Sequence, residues 1–506
     1  MAAQTICPKT RFGKTELQIS MVTCGGMRLQ QSWGRGDMPA PERIEDVDAE
    51  CQANLVAIIR AAVAKGINHF ETAQGYGCSE VQFGQAFKEL FASGELKRED
   101  VIIQTKVGPK ATPEEFQAAL EKSFQRLQVN EALGGYIDLF GFHGINRDHH
   151  VGLVCDTLMP VVDAFRAAGR IRHVGFSTHG MPRAITRAIN SGKFDYVNLH
   201  FDFIGSYTAS GSGPTGGNLQ SLKAAAKHDM GVFIISPYDK GGKLYKPPTK
   251  FARICAGTDG LSPIAFNSLW LWTHDPAAHT LVVGAARPGD FDEAVSAACL
   301  YGQDAAAAKA RCGAAASRLT AAAEEVFGRE WVAGWHTGLP DCYEAGGPGA
   351  VESELDPMAG ADGAALSAQP TGAFVCYMVW LHLLVKSWGF LEFAQARFGE
   401  LEGNAGRWEA ELSFEENTKG WGFCPGTCIR QDLTAEALAP HLASSMDPKL
   451  ALTAVTEAYA WLNKATGGAA ALPSDGLRAD CAPAFDLQPD VPYPERADIK
   501  DPQSRR

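Results

Sequence analysis

Eight short apolar runs recur along the first part of the chain, at residues 19–27, 67–73, 101–107, 137–143, 171–177, 195–203, 231–237 and 280–286. They are continuously apolar rather than alternating, the pattern of strands buried on both faces of a parallel sheet. Amphipathic segments stand between most of them. Leu55, Ile58, Ile59, Ala62 and Val63 follow helical spacing, as do Phe116, Leu120, Phe124 and Leu127. The second set follows Thr112-Pro113-Glu114-Glu115, a capping box with Pro at the first helical position. Met159, Val162 and Phe165 mark a further helix, stopped at Gly169. Asn218 is placed to cap a helix through Leu219 and Leu222, and Ser262-Pro263 opens another through Trp270. Eight strand–helix units of this size predict an α/β fold, a (β/α)8 TIM barrel. A doubly wound sheet is the alternative, but no Gly-x-Gly-x-x-Gly fingerprint follows the first run.

In such barrels the chemistry sits where the strands end. The segment GINHFETAQGYGCSE places Glu71 and Tyr76 just past the second run, VIIQTKVG places Lys106 at the end of the third, and IDLFGFHG places His143 at the end of the fourth. A lone Lys or His beyond a strand is most often an ordinary surface residue. A carboxylate, a phenol, an amine and an imidazole on three neighbouring strand ends are hard to explain that way, and together they form a proton-handling set. Hydride addition to a carbonyl leaves an alkoxide that needs a proton. A free phenol, with a pKa of ~10, is a poor acid near neutrality, and a nearby ammonium favours its ionised form. Lys106 can supply that charge, Glu71 can hold Lys106 protonated and oriented, and His143 can hydrogen-bond the carbonyl oxygen beside Tyr76.

These segments resemble the aldo-keto reductase family over residues 10 to about 300. TRFGKTELQISMVTCGGMRL resembles the family's opening hairpin and first strand, and FETAQGYGCSE its Asp-Thr-Ala…Tyr-Gly signature. GRIRHVGFSTHG resembles the fifth-strand segment and ISPYDKGGKL the seventh. The resemblance implies a catalytic tetrad of Glu71, Tyr76, Lys106 and His143, with Glu71 where the family has Asp. It implies NADPH as cofactor, with Ser177, Thr178, Asn198, Ser236 and Arg287 in contact with it, and a small-molecule carbonyl compound as substrate. Thr178 stands where many relatives carry Asn, Ile235 where many carry an aromatic residue, and Asn198 in place of a Gln. TIM barrels often hold phosphate after strands seven and eight, where this chain has Lys240, Lys243 and Arg287. The Gly-rich GSGPTGG at 211–217 is read as a loop rather than a phosphate cradle, since no Lys-Ser/Thr follows it.

The chain has 506 residues, more than one barrel needs, so a further domain is expected. The boundaries expected are 1–305 for the barrel, 306–465 for a helical module with a flexible insert near 343–370, and 466–506 for a disordered tail. Residues 374–402 read as helical, with Trp380, Leu384, Trp388 and Leu391 on one apolar face, and Asp447-Pro448 caps a later helix. The tail is rich in Pro, Gly, Asp and Ala, without apolar periodicity, and is expected to be dispensable for the fold. The module also resembles the helical extension with a ferredoxin-like cysteine cluster found in some aldo-keto reductases. Its cluster is not matched: Cys424 and Cys428 are close, but Cys342 and Cys376 are distant, and four-iron clusters take tightly spaced cysteines. A metal-free module is expected.

The 46 Lys and Arg against 58 Asp and Glu give a net charge of −12, and no basic run suggests nucleic acid. Thirteen cysteines, scattered and odd in number, fit reduced thiols and a cytoplasmic setting better than a disulfide framework. The most apolar run, FVCYMVWLHLLV at 374–385, is too short to span a bilayer and reads as a buried helix, so no membrane association is expected. The reading favoured is an NADPH-dependent reductase of an aldehyde or ketone with Tyr76 as general acid. The rivals are a nucleotide-binding pseudo-reductase acting through protein contacts, and an interaction protein whose helical extension is the functional part.

Overall fold

The computed structural model describes residues 6–33, 39–146, 148–180, 182–205, 218–339, 369–405, 434–463 and 472–487. The chain opens with a hairpin of β1 (Lys9–Arg11) and β2 (Gln18–Ser20). Eight parallel strands follow: β3 (Val22–Gly25), β4 (His69–Glu71), β5 (Ile102–Val107), β6 (Ile137–His143), β7 (Ile171–Ser177), β8 (Tyr196–Leu199), β9 (Gly231–Ile235) and β10 (Thr280–Gly284). They close into a barrel in sequence order, with β10 pairing β3. Each lies within one of the eight apolar runs. The doubly wound alternative is thereby excluded.

Two separate layers explain why continuous apolar runs were needed. The outward residues of the strands join the surrounding helices in one large core. The barrel interior has its own small cluster, with Phe12, Ile19, Ile102, Leu139, Tyr196, Phe233 and Val282. Phe12 comes from the hairpin and plugs the barrel floor, its ring centroid 4.5 Å from that of Phe233. The caps read from the sequence form as expected. Thr112 Oγ1 accepts from Glu115 N at 3.2 Å and Ser262 Oγ from Ala265 N at 3.1 Å. Asn218 instead donates its side-chain amide to His200 O, and Val63, placed on the buried face of its helix by spacing, is exposed.

The C-terminal helices do not form an independent body. The Ala305–Phe327 helix packs on the barrel's last helices, and the Gln369–Trp388 helix lies across it. Trp380 Nε1 donates to Ile204 O and Trp388 Nε1 to Leu319 O, both at 2.9 Å. These bonds satisfy the indole N–H groups while the rings are buried, as buried tryptophans require. The helix contains the 374–385 run, and no described helix is long and apolar enough to cross a membrane. The Pro448–Leu462 helix is capped by Asp447 Oδ1, which accepts from Leu450 N at 2.9 Å, and it packs on the Gln369–Trp388 helix. The insert near 343–370 and Cys342, Cys424 and Cys428 fall almost wholly outside the described residues, as does the side chain of Cys376.

One expectation needs correction. Within the stretch 466–506, read as disordered, residues 472–487 hold a short helix, Asp475–Cys481, followed by an extended segment docked on the barrel. Its attachment is through main-chain hydrogen bonds. Such bonds need no apolar periodicity, which is why the sequence pattern did not reveal them.

Candidate active site

The four proton-handling residues converge at one end of the barrel. Strand register sets their height: Gly25 pairs Glu71, Lys106 pairs Gly141, and His143 pairs Ser177. All lie at the carboxyl ends of their strands. Gly141 gives the Lys106 chain its room, since a Cβ there would sit 3.0 Å from Lys106 Cγ. Tyr76 comes from the turn after β4. Arg126 Nη2 donates to Gly77 O beside it. Gly77 has φ +57°, and a Cβ there would lie 1.9 Å from Ser32 O, so only glycine lets this turn press against the 29–33 segment.

Lys106 and Glu71 are both about 1% exposed and form a contact ion pair, Nζ to Oε1. Lys106 Nζ also donates to Thr72 O at 2.8 Å. The Tyr76 hydroxyl makes a long hydrogen bond of 3.5 Å to the same Glu71 Oε1. The ammonium lies 4.7 Å from the Tyr76 ring centroid, and the His143 ring meets Tyr76 edge-on, with centroids 5.5 Å apart. Tyr76 is half-buried, the member of the group open to the mouth. Burial pushes the Lys106 amine well below its ordinary value, and the Glu71 carboxylate in contact opposes that shift. Burial, with the Lys106 charge second, pushes the His143 imidazole well below its ordinary value. His143 is therefore neutral at pH 7, with one ring nitrogen donating and one accepting.

A cleft opens beside this group, lined by Glu71, Tyr76, Met27, Arg28, Ile235 and Ser236 among others. Arg28, after β3, passes the end of β10 to pair with Asp239, after β9, at 3.0 Å. Trp33 stands over the Tyr76 side, ring centroids 6.3 Å apart, with Nε1 donating to Met27 O. Asp239 and Tyr245 complete the wall. Met27, Arg28, Trp33, Asp239 and Tyr245 were not singled out from sequence. The available signal was position: Met27 and Arg28 follow the first barrel strand directly, at the end where barrel chemistry sits.

The residues read as cofactor contacts are arranged less uniformly. Ser236 lines the cleft and has φ +52°, where the chain turns out of β9. Ser177 Oγ accepts from Gly144 N at 3.2 Å. Thr178 commits its hydroxyl to the adjoining loops, donating to Ile145 O at 2.7 Å and accepting from Gly180 N at 3.0 Å. Asn198 is fully buried. Its Oδ1 accepts from Gln104 Nε2 at 3.2 Å, and its Nδ2 has no hydrogen-bond partner among the described residues. An unsatisfied buried donor costs about 1–3 kcal/mol, which an acceptor on a bound molecule would recover. Arg287 donates through Nε to Asp290 Oδ1 at 3.0 Å and through Nη2 to Leu487 O. Lys243 pairs with Glu392 of the C-terminal helices at 3.3 Å.

Residues 22–203 match the model of the aldo/keto reductase family. The matched residues run from β3 to just past β8 of the barrel. The chain is 28% identical over 178 residues to L-galactose dehydrogenase of Arabidopsis thaliana, a match covering 34% of this chain and 48% of that protein. It is 34% identical over 97 residues to the NAD(P)H-dependent 6′-deoxychalcone synthase of Glycine max, covering 19% of this chain and 29% of that one. The chain thus matches less than half the length of these curated relatives. Among solved structures, an aldo-keto reductase from Bacillus halodurans in holo form aligns with a TM-score of 0.45 at 18% identity, over 61% of this chain and 96% of that one.

Proposed function

We propose that the protein is an NADPH-dependent oxidoreductase that reduces an aldehyde or ketone to an alcohol, with Tyr76 as general acid. The observation that carries this reading is the buried Lys106–Glu71 pair with its ammonium 4.7 Å from the Tyr76 ring and His143 at the ring's edge. A bound NADPH would supply a hydride to the carbonyl carbon. The Tyr76 O–H gives its proton to the carbonyl oxygen, and the phenolate left behind is stabilised by the Lys106 charge in a site of low dielectric. Glu71 keeps Lys106 charged and fixed. Neutral His143 donates a ring N–H to the same carbonyl oxygen and so orients it toward Tyr76.

The chain's residues fit the nucleotide. The orphaned Asn198 Nδ2 suits the carbonyl of a nicotinamide carboxamide. Ser177 and Ser236 stand at the ends of β7 and β9. Arg287 offers a guanidinium to a 2′-phosphate, and the family relative named above is itself NAD(P)H-dependent. A screen of carbonyl compounds that follows NADPH absorbance, paired with a cofactor titration, tests the reading. Substrate-dependent NADPH consumption is expected. Cofactor binding without turnover on any carbonyl class would defeat it.

A further inference from the structure

The loop between β9 and the Thr249–Ala256 helix forms one wall of the cleft through Ser236, Asp239 and Tyr245. Its outer edge is held by the docked tail. Ala482 O accepts from Thr249 N and Thr249 Oγ1, each at 2.8 Å. Ala484 N donates to Pro247 O at 2.9 Å, and Leu487 N donates to Tyr245 O at 2.8 Å. Pro248 and Pro483 face each other as an antiparallel bridge. The same tail reaches the neighbouring loop after β10, where Leu487 O accepts from Arg287 Nη2. Asp480 adds ion pairs to Lys250 and Arg253 at 3.8 and 3.5 Å. Meanwhile Glu392 pairs Lys243 and Lys246, in the middle of the loop, at 3.3 and 3.7 Å.

Packing does not explain this segment. The Phe485 and Leu487 side chains are 39% and 38% exposed. What the segment contributes is main-chain donors and acceptors, placed two to four residues apart along the loop, in the manner of an added strand. Ala482 N caps the preceding helix, and the other main-chain bonds given above go to the loop, to the start of the helix that follows it, and to Arg287.

We infer that residues 482–487 are a strap that positions the 236–248 loop and Arg287, so that the nucleotide site is a composite of the barrel and the far C-terminal end of the chain. This rests on the nucleotide reading above. The strap's main-chain bonds fall on the loop and on Arg287, so its role is in holding cofactor rather than in proton transfer. It reverses the expectation that the tail can be removed without consequence.

The test uses the full-length protein and the double variant Ala484→Pro/Leu487→Pro, which deletes both strap N–H donors. Phe485→Ala, which trims an exposed side chain and keeps the main chain, is the control. Circular dichroism and melting temperature confirm that each is folded, and a chain ending at residue 471 is the second variant should the prolines disturb folding. Hydrogen exchange across 237–248 is measured without nucleotide, then the NADPH Kd by fluorescence, and KM against kcat. Faster exchange in the loop, a Kd and KM for NADPH raised by about 10-fold or more, and kcat within about twofold are expected for the proline variant. Phe485→Ala should match wild type. Unchanged exchange would overturn the strap itself. Faster exchange with an unchanged NADPH Kd would overturn its link to the nucleotide. A wild type that binds no NADPH would defeat the proposed function and the nucleotide half of this inference, while the exchange result still decides whether the strap holds the loop.

Discussion

The two halves of the barrel mouth are built in opposite ways. The proton-handling half takes Glu71, Tyr76, Lys106 and His143 from three adjacent strands, and the contacts among these four span only residues 71 to 143. The half read as the nucleotide side joins Arg28 to Asp239, Arg287 to Leu487 and Lys243 to Glu392, partners separated by up to 211 residues. The first is fixed by the pitch of neighbouring parallel strands and by a buried ion pair. The second depends on loops whose outer edges are held by the C-terminal helices and tail. Chemistry and cofactor holding should therefore respond to mutation separately, one in kcat and the other in KM.

The largest effect is expected where the extension meets the barrel. Trp388 is buried, hydrogen-bonds Leu319 O, and packs its ring 5.5 Å from Phe203. Trp388→Ala should cost about 3–5 kcal/mol through the cavity and the lost indole bond. Because extension and barrel share one core, the loss should appear as a lower midpoint of a single unfolding transition. A separate early transition, with the barrel melting at its wild-type temperature, would show the extension to be an independent body.

Next come the proton-handling residues. Tyr76→Phe keeps the ring and removes the acid, so turnover should fall by ~10²-fold or more, with the NADPH Kd nearly unchanged. Lys106→Met should also collapse turnover, and it should destabilise the fold because Glu71 is left as an uncompensated buried charge. A Tyr76→Phe enzyme that reduces carbonyls at the wild-type rate would sink the mechanism whatever the fold.

This division also explains what the sequence could disclose. Continuous apolar runs mark barrel strands because both faces are buried, and residues such as Lys106 and His143 announce themselves by following such runs. Strand-end chemistry is a local property of the chain. The Arg28–Asp239 bridge and the strap are not local: neither partner carries a pattern that points to the other, and Leu487 acts through main-chain atoms that every residue possesses. Thr178 was read as a cofactor contact, but the bonds that commit its hydroxyl to Ile145 O and Gly180 N were not legible.

Arg287 sharpens the nucleotide side. Asp290 and Leu487 O hold two of its nitrogens, which pre-organises the guanidinium. A charge-assisted bond to a 2′-phosphate is worth about 1.5–3 kcal/mol. Arg287→Ala should therefore weaken NADPH by about 10-fold or more and leave NADH within about twofold, with kcat retained. Equal losses for both nucleotides would make Arg287 a structural clamp for its loop.

The smallest expected effect is the most diagnostic for the proton-handling half. Glu71 reaches Lys106 and Tyr76 with one carboxylate oxygen. Glu71→Asp keeps the charge but withdraws it by one methylene, so kcat at neutral pH should stay within about threefold. The pH profile should move more. Burial already lowers the Lys106 pKa, and the carboxylate contact opposes that. Loosening the contact lets the ammonium lose its proton at a lower pH, so the alkaline limb of kcat/KM should shift downward. Glu71→Gln removes the opposing charge altogether and should shift it further. His143, held neutral by burial, should add no limb in the range where a free histidine titrates, about pH 6–7. An alkaline limb that stays in place in both variants would mean that Glu71 does not hold the charge of Lys106, and that the ion pair serves the fold rather than the reaction.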